Sequence, residues 1–158
     1  MEPILSAFDE QFRHLDRRSR ELLALLTDET LFQRARIVEN SMAPFSCGEF
    51  LLRSAAMVEK TFGGITTRLW DDPFEWTLPE KLSNGKKISA YLDEVEATRV
   101  AGFNFFSGDA DLTRSIPAPE TLTPIGSILL ETLSKAEHFQ GRAFAVFQML
   151  SNEKLPRR

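Results

Sequence analysis

The chain has 158 residues and a mass of 17.9 kDa, which at roughly 150 residues per domain is one domain and buries about 68–70% of its unfolded surface, enough for a self-sufficient core. With 42% hydrophobic and 27% charged residues, its composition is that of a globular protein and excludes a disordered one. A formal charge of −4 and a pI near 5.3 argue against nucleic acid, which is bound by Lys and Arg neutralising phosphates.

Twenty Leu stand against seven Ile and five Val, and there are only eight Gly and eight Pro. That balance favours helices over a sheet. In the first segment Phe8, Phe12, Leu15, Leu22 and Leu26 recur at intervals of four, three, seven and four. This is one stripe of a helix, with Ser19 filling the heptad gap. Arg17, Arg18 and Arg20 lie mostly off it and read as a solvated face. Thr27-Asp28 closes this helix, and a loop runs to about Phe45. Ser46-Cys47-Gly48-Glu49 is a capping box in which the Ser46 hydroxyl accepts the amide of residue 49 and the Glu49 carboxylate accepts the amide of Ser46. The second helix presents Phe50, Leu51, Ser54, Val58, Thr61, Phe62 and Ile65 on one side, and ends near Gly63-Gly64 or runs raggedly on to Trp70.

Residues 71–87 hold Asp71-Asp72-Pro73, Pro79 and Asn84-Gly85, turn chemistry that makes this the longest connection. Phe74, Trp76 and Leu78 within it predict that it packs on the body. A third helix runs from about Lys87 to Phe106, with Ile88, Tyr91, Leu92, Val95, Gly102 and Phe106 facing inward. Glu94 and Glu96 flank Val95 as solvated charges. Residues 107–122 form a second crossing loop. Thr123-Pro124 then reads as a helix start, an N-cap hydroxyl followed by proline at the first position. The fourth helix shows Ile125, Leu129, Thr132, Ala136, Phe139, Ala143, Val146 and Leu150 on one face, and Lys154 to Arg158 is a solvated tail. Four amphipathic helices of about 17–28 residues, roughly 25–40 Å each, predict an all-α four-helix bundle. Residues 1–158 form a single domain in that reading.

The longest uninterrupted apolar runs, Leu22–Leu26 and Ala143–Phe147, have five residues, against about 20 needed to span a bilayer, so no membrane partner is expected. The start of the chain, with Glu2 and Asp9, lacks the basic-then-apolar order of a signal peptide. One cysteine forms no intrachain disulfide, which fits a cytoplasmic protein.

The order of these signals resembles the DinB-like (YfiT-like) superfamily of bacterial four-helix bundles. Leu22 to Leu26, a loop, and then Phe45-Ser46-Cys47-Gly48-Glu49-Phe50-Leu51 resemble that family's approach to its second helix, and Ala55-Ala56-Met57-Val58-Glu59 resembles the next stretch of that helix. Gly141-Arg142-Ala143-Phe144-Ala145-Val146-Phe147-Gln148-Met149-Leu150 is similar to the family's ending of the fourth helix. The similarity covers roughly residues 5 to 150 and implies an up-down-down-up bundle, often a homodimer. It does not imply DNA binding. Many relatives hold a divalent metal through one His on the second helix and a His-x-x-x-His pair on the fourth, and characterised relatives include thiol-cofactor-dependent transferases and isomerases. Such spacing points two imidazoles from one helical face and leaves positions open for water or substrate.

The chain departs from that pattern at the site. It has two histidines, His14 and His138, so no three-His site exists within one chain. Counted back from Gly141, the family's pair falls on Lys135 and Phe139, with His138 one residue away. The helix-two position falls on Ser54 counted from Glu59, or on Arg53 counted from Gly48, and helical phase prefers Ser54. A cation and a phenyl ring stand where nitrogen donors are needed. No metal and no other cofactor is therefore expected; the alternative is zinc or nickel with His138 as a ligand.

Each candidate has a functional and a structural reading. His138 lines a polar stripe with Ser134 and Glu131, or that stripe is simply the solvent face opposite Thr132, Ala136 and Ala143. Lys135 contacts an anionic ligand or serves as an amine, or its stem snorkels to water. Ser54 lines the cleft or bonds its own helix carbonyl. Cys47 sits in a first helical turn, where the dipole lowers a thiol pKa, or is a small buried hydrophobe. His14 lies off the first stripe and reads as a surface residue. Phe103, Phe105 and Phe106 with Trp70 and Trp76 line an apolar pocket, or serve core packing or a dimer interface. No Gly-rich phosphate loop, Cys-x-x-Cys or Gly-x-Ser-x-Gly elbow is present.

Three functions are compatible with these residues. The first is a degenerate, non-metal bundle that binds a small molecule in the cleft near Ser54, Lys135, Phe139 and His138, with no catalytic residue assigned. The second is a metal- or thiol-dependent transferase or hydrolase with an altered site. The third is a structural or interaction dimer. The first ranks highest.

Overall fold

Capping chemistry sets most helix boundaries in the computed structural model, which describes residues 2–35, 45–74 and 82–156. Helix α1 spans Pro3–Ala24 with its proline in the first turn, where a missing N–H costs no bond. No local side chain caps it; Asp109 does so from across the fold, accepting the amides of Ile4 and Leu5 at 3.0 and 2.8 Å. Glu2 in turn accepts the Asp109 amide at 2.6 Å. Thr27 then starts a short helix α2, Asp28–Leu31, through a capping box with Thr30. The loop expected from Thr27 to Phe45 is thus partly helical, because Thr27 caps forward as well as following α1. Residues 36–44 lie outside the described residues.

The box expected at Ser46 is present in both directions: Ser46 Oγ accepts the Glu49 amide at 3.2 Å, and Glu49 accepts the Ser46 amide at 2.7 Å. It starts α3, Cys47–Thr67, which continues past Gly63-Gly64 and stops at left-handed Arg68, φ 65°. Gly64 serves close packing instead: a Cβ there would stand 2.3 Å from the Trp70 ring. Helix α4, Gly85–Asn104, begins two residues earlier than expected because Asn84 caps it, accepting the Lys87 amide at 2.9 Å. Phe74 in the preceding connection packs on Tyr91, ring centroids 5.7 Å apart, whereas Trp76 and Leu78 lie outside the described residues.

The segment read as a crossing loop carries a 3₁₀ turn, Asp109–Thr113, and a small hairpin. Strand β1, Ser115–Pro117, pairs antiparallel with β2, Leu122–Pro124, in the register Ser115↔Pro124, Ile116↔Thr123 and Pro117↔Leu122. Thr123-Pro124 therefore ends a strand rather than capping a helix. The Thr123 hydroxyl turns back to the Thr121 carbonyl at 3.4 Å, and α5 begins only at Ile125, whose amide bonds the Arg114 carbonyl at 3.0 Å. Helix α5 runs Ile125–Leu150.

The described residues are mostly helical. Helix α3 packs most extensively on α5 and next on α4, while α1 packs on α4 and α5. The buried core falls into two clusters, one holding the mutually contacting Phe12, Phe62 and Phe103 rings and the other Leu22, Cys47, Leu51 and Phe147, with half-buried Leu23 and Leu26 packed against both. Arg18, read as solvated, is buried. Helix α5 covers that flank of α1, so the guanidinium lies 4.7 Å over the Phe144 ring and reaches Glu137 at 3.3 Å. Among the described residues no helix is long and apolar enough to cross a membrane.

Candidate functional site

The α3/α5 seam carries the polar side chains that the fold brings together. Ser54 is buried on α3 and donates across the seam to the Ala136 carbonyl at 2.9 Å, rather than to its own helix. Further along the seam, Thr61 and Thr132 are both buried with their hydroxyl oxygens 2.7 Å apart, and Thr132 donates to the Ile128 carbonyl at 2.8 Å. Above the threonine pair opens a cleft of about 230 Å³, walled by Met57, Trp70, Pro119 and Ile128 and edged by Lys60, Lys135 and Glu131. Lys135 pairs with Glu131 at 2.5 Å.

Met57 and Lys135 also belong to a neighbouring, more open depression of about 470 Å³, lined in addition by Ser134, His138 and Phe139. The fold thus brings Lys135, His138 and Phe139 to one surface, while Ser54 lies beneath it and lines neither hollow. Ser54 instead edges a small cavity of about 20 Å³ with Ser19, Glu96 and Arg99, room for about one water. Arg53, the other register for the family position, is half-buried with its guanidinium 4.0 Å over the Phe45 ring.

His138 is exposed on the same face as Ser134 and Glu131 and forms no hydrogen bond among the described residues. Its companions in the depression are a hydroxyl, an ammonium, a thioether and a phenyl ring, a set that does not fit zinc or nickel. Among the described residues no three His, Cys, Asp or Glu side chains gather as metal ligands. His14 is half-buried on α1 beside Arg13, Arg17, Asp9 and Glu10, apart from the cleft.

The aromatic residues divide. Phe103 is buried against Phe12 and Phe62, Phe105 is exposed, Trp70 walls the cleft, and Trp76 lies outside the described residues. Met57, Lys60 and the pairing of Thr61 with Thr132 are site features that sequence reasoning missed. The signal available was Thr61 and Thr132 each on its helix's inward stripe, where two hydroxyls need partners.

Cys47 is fully buried, and that burial pushes its thiol up to about 12, overriding the helix dipole. At pH 8 the native protein therefore holds far less thiolate than an ordinary cysteine would. A thiol reagent such as dithiobis(nitrobenzoate) is expected to leave native protein unlabelled over an hour and to label one thiol at once in 8 M urea. Rapid native labelling would show that the thiol is accessible and ionised.

Compared with protein-family models, with curated proteins and with solved structures, the chain matches none.

Proposed function

We propose that the chain is a DinB-like four-helix bundle of up-down-down-up order, lacking the three-His metal site, that binds a small molecule in the cleft between α3 and α5. The contacts support that order. Residue numbers rise together along α1 and α5, from the Glu2–Asp109 contact beside the start of α5 to Leu15 and Ser19 on Gln140. They run oppositely along α3 and α5, with Ser54 on Ala136 and Thr61 on Thr132. They run oppositely again along α1 and α4, with Asp9 on Arg99 and Arg20 on Asp93. A homodimer, which rests on the resemblance, and a cytoplasmic location, which rests on the single cysteine, belong to the same proposal.

The observation that carries the binding function is the cleft itself, about 230 Å³ with apolar walls, the hydroxyls of Thr61, Thr132 and Thr123 in its lining and charges at its rim. Ligand sites combine such an apolar body with a few placed polar groups. The test is a fragment screen on ¹⁵N-labelled protein, read at the Trp70 indole, which a Trp76→Phe variant distinguishes from the other tryptophan. Fragments that shift Trp70, and lose that effect in Met57→Arg, are the expected result. A screen at millimolar concentrations in which nothing moves Trp70 would refute the binding function.

A further inference from the structure

We infer that the α3/α5 cleft takes a compact organic monoanion bearing a hydrogen-bond donor on its apolar end, of which a hydroxyaryl carboxylate is the simplest kind. This ligand class rests on the proposed binding function and narrows it.

The floor decides the donor. A threonine hydroxyl has one proton and two lone pairs. Thr132 gives its proton to the Ile128 carbonyl at 2.8 Å, so in the 2.7 Å contact between the hydroxyls it is Thr61 that donates and Thr132 that accepts. Both protons are then committed inside the protein, and what the pair presents to the cleft is lone pairs; the third threonine of the lining, Thr123, turns its own hydroxyl proton to the Thr121 carbonyl at 3.4 Å. A ligand group meeting that floor must donate; an acceptor there would face oxygen with no proton between them.

The rim decides the charge. Lys60, Lys135 and Glu131 are the charged side chains that edge the cleft. Lys135 and Glu131 neutralise each other at 2.5 Å, which leaves Lys60, half-buried and with no ion pair among the described residues, as the unmatched charge. One positive charge beside an apolar wall attracts one negative charge, and partial desolvation strengthens the attraction. Glu131 repels an anion from the α5 side and so directs it toward Lys60 on α3.

The walls decide the body. Met57, Trp70, Pro119 and Ile128 offer apolar and aromatic surface. An apolar cavity of about 150 Å³ accommodates benzene. The cleft, at about 230 Å³, has room for one ring with a short acidic arm.

The experiment titrates three probes of similar size into the full chain, 4-hydroxyphenylacetate, phenylacetate and tyramine, with neutral indole as a fourth. The readout is the Trp70 indole in wild type, Lys60→Ala and Thr61→Val. The expected order is 4-hydroxyphenylacetate at least fivefold tighter than phenylacetate and at least tenfold tighter than tyramine. Lys60→Ala, a rim substitution that leaves the core untouched, is expected to abolish the preference for acid over amine. Thr61→Val is expected to weaken the preference for the hydroxylated acid, since only the Thr132 lone pairs then remain to accept, and to leave phenylacetate binding in place. If indole shifts Trp70 but acid and amine bind alike, or the preferences survive both substitutions, this inference is overturned and the cleft remains a binding site. If none of the four probes moves Trp70, this inference is likewise overturned, and the fragment screen decides the binding function separately.

Discussion

Phe62→Ala is expected to destabilise the fold by about 3–5 kcal/mol, the range for truncating a fully buried phenylalanine whose surroundings cannot collapse. Phe62 has no exposed surface, and its ring contacts Phe12 edge-on at 5.2 Å and Phe103 at 5.1 Å between centroids. The ring also lies directly on the Gly102 backbone of α4, where a Cβ would approach its Cδ1 to 2.2 Å. Glycine is there because a ring occupies the space, so the two positions are coupled. Gly102→Ala alone is expected to cost about 1–3 kcal/mol by overpacking. In the Phe62→Ala background the same change should cost less, because of the close atoms only the Cβ of residue 62, 3.1 Å from the new methyl, remains, while alanine favours a helix interior by about 1 kcal/mol. Urea unfolding of the four proteins tests this. Effects that add to within about 0.3 kcal/mol would show that ring and glycine do not touch.

The helices were legible wherever local chemistry decides them. The apolar stripe of α1, the reciprocal cap of Ser46 and Glu49, and the long periodic run of α5 are all short-range signals. What escaped was set at long range. Asp109 caps α1 from over a hundred residues away, and nothing near Pro3 announces it. Thr123-Pro124 has the chemistry of a helix start, yet β1 claims both residues as strand partners. Gly63-Gly64 has the chemistry of a helix stop, yet the Trp70 ring needs the space a side chain would fill.

The candidate site was legible in part for the same reason. Helical phase puts Lys135, His138 and Phe139 within about one turn of α5, and they do share a surface. Ser54 has the right phase but too short a side chain, and its hydroxyl ends on the Ala136 carbonyl beneath that surface. Thr61 and Thr132 are on different helices, so their pairing depends on how α3 is offset against α5, which periodicity within one helix does not contain. Lys60 carried no signal in the sequence because an isolated lysine is usually solvated; its place at the cleft edge comes from the turn that brings Trp70 back over Gly64.

Arg99→Met is expected to cost about 3 kcal/mol, and the loss should come mostly from the carboxylates it abandons. Arg99 is 4% exposed on α4 and bonds Glu96 through two nitrogens at 2.8 and 2.6 Å as well as Asp9 of α1. Removing one member of a buried pair costs about 3–5 kcal/mol; Asp9 and Glu96 keep 19% and 34% of their side-chain surface in water, which places this case at the lower end. Adding Asp9→Asn and Glu96→Gln should recover most of the loss, since an all-neutral seam has no stranded charge. The pH dependence separates this cause from lost packing. Burial, reinforced by repulsion from Asp16, already holds the Glu96 carboxyl above its ordinary value, and without the Arg99 guanidinium beside it this carboxyl rises further. A carboxyl raised in the folded state binds its proton more readily there than in the unfolded chain. Stability is therefore gained as pH falls through the raised value, is fully present below the unfolded pKa near 4, and is lost again as pH rises. The deficit of Arg99→Met relative to wild type should shrink steadily from pH 7 to pH 4 and shrink also in 1 M salt, where the repulsion is screened. A deficit that is constant across that range, and unrelieved by neutralising Asp9 and Glu96, would assign the loss to the packing of the arginine stem between α1 and α4.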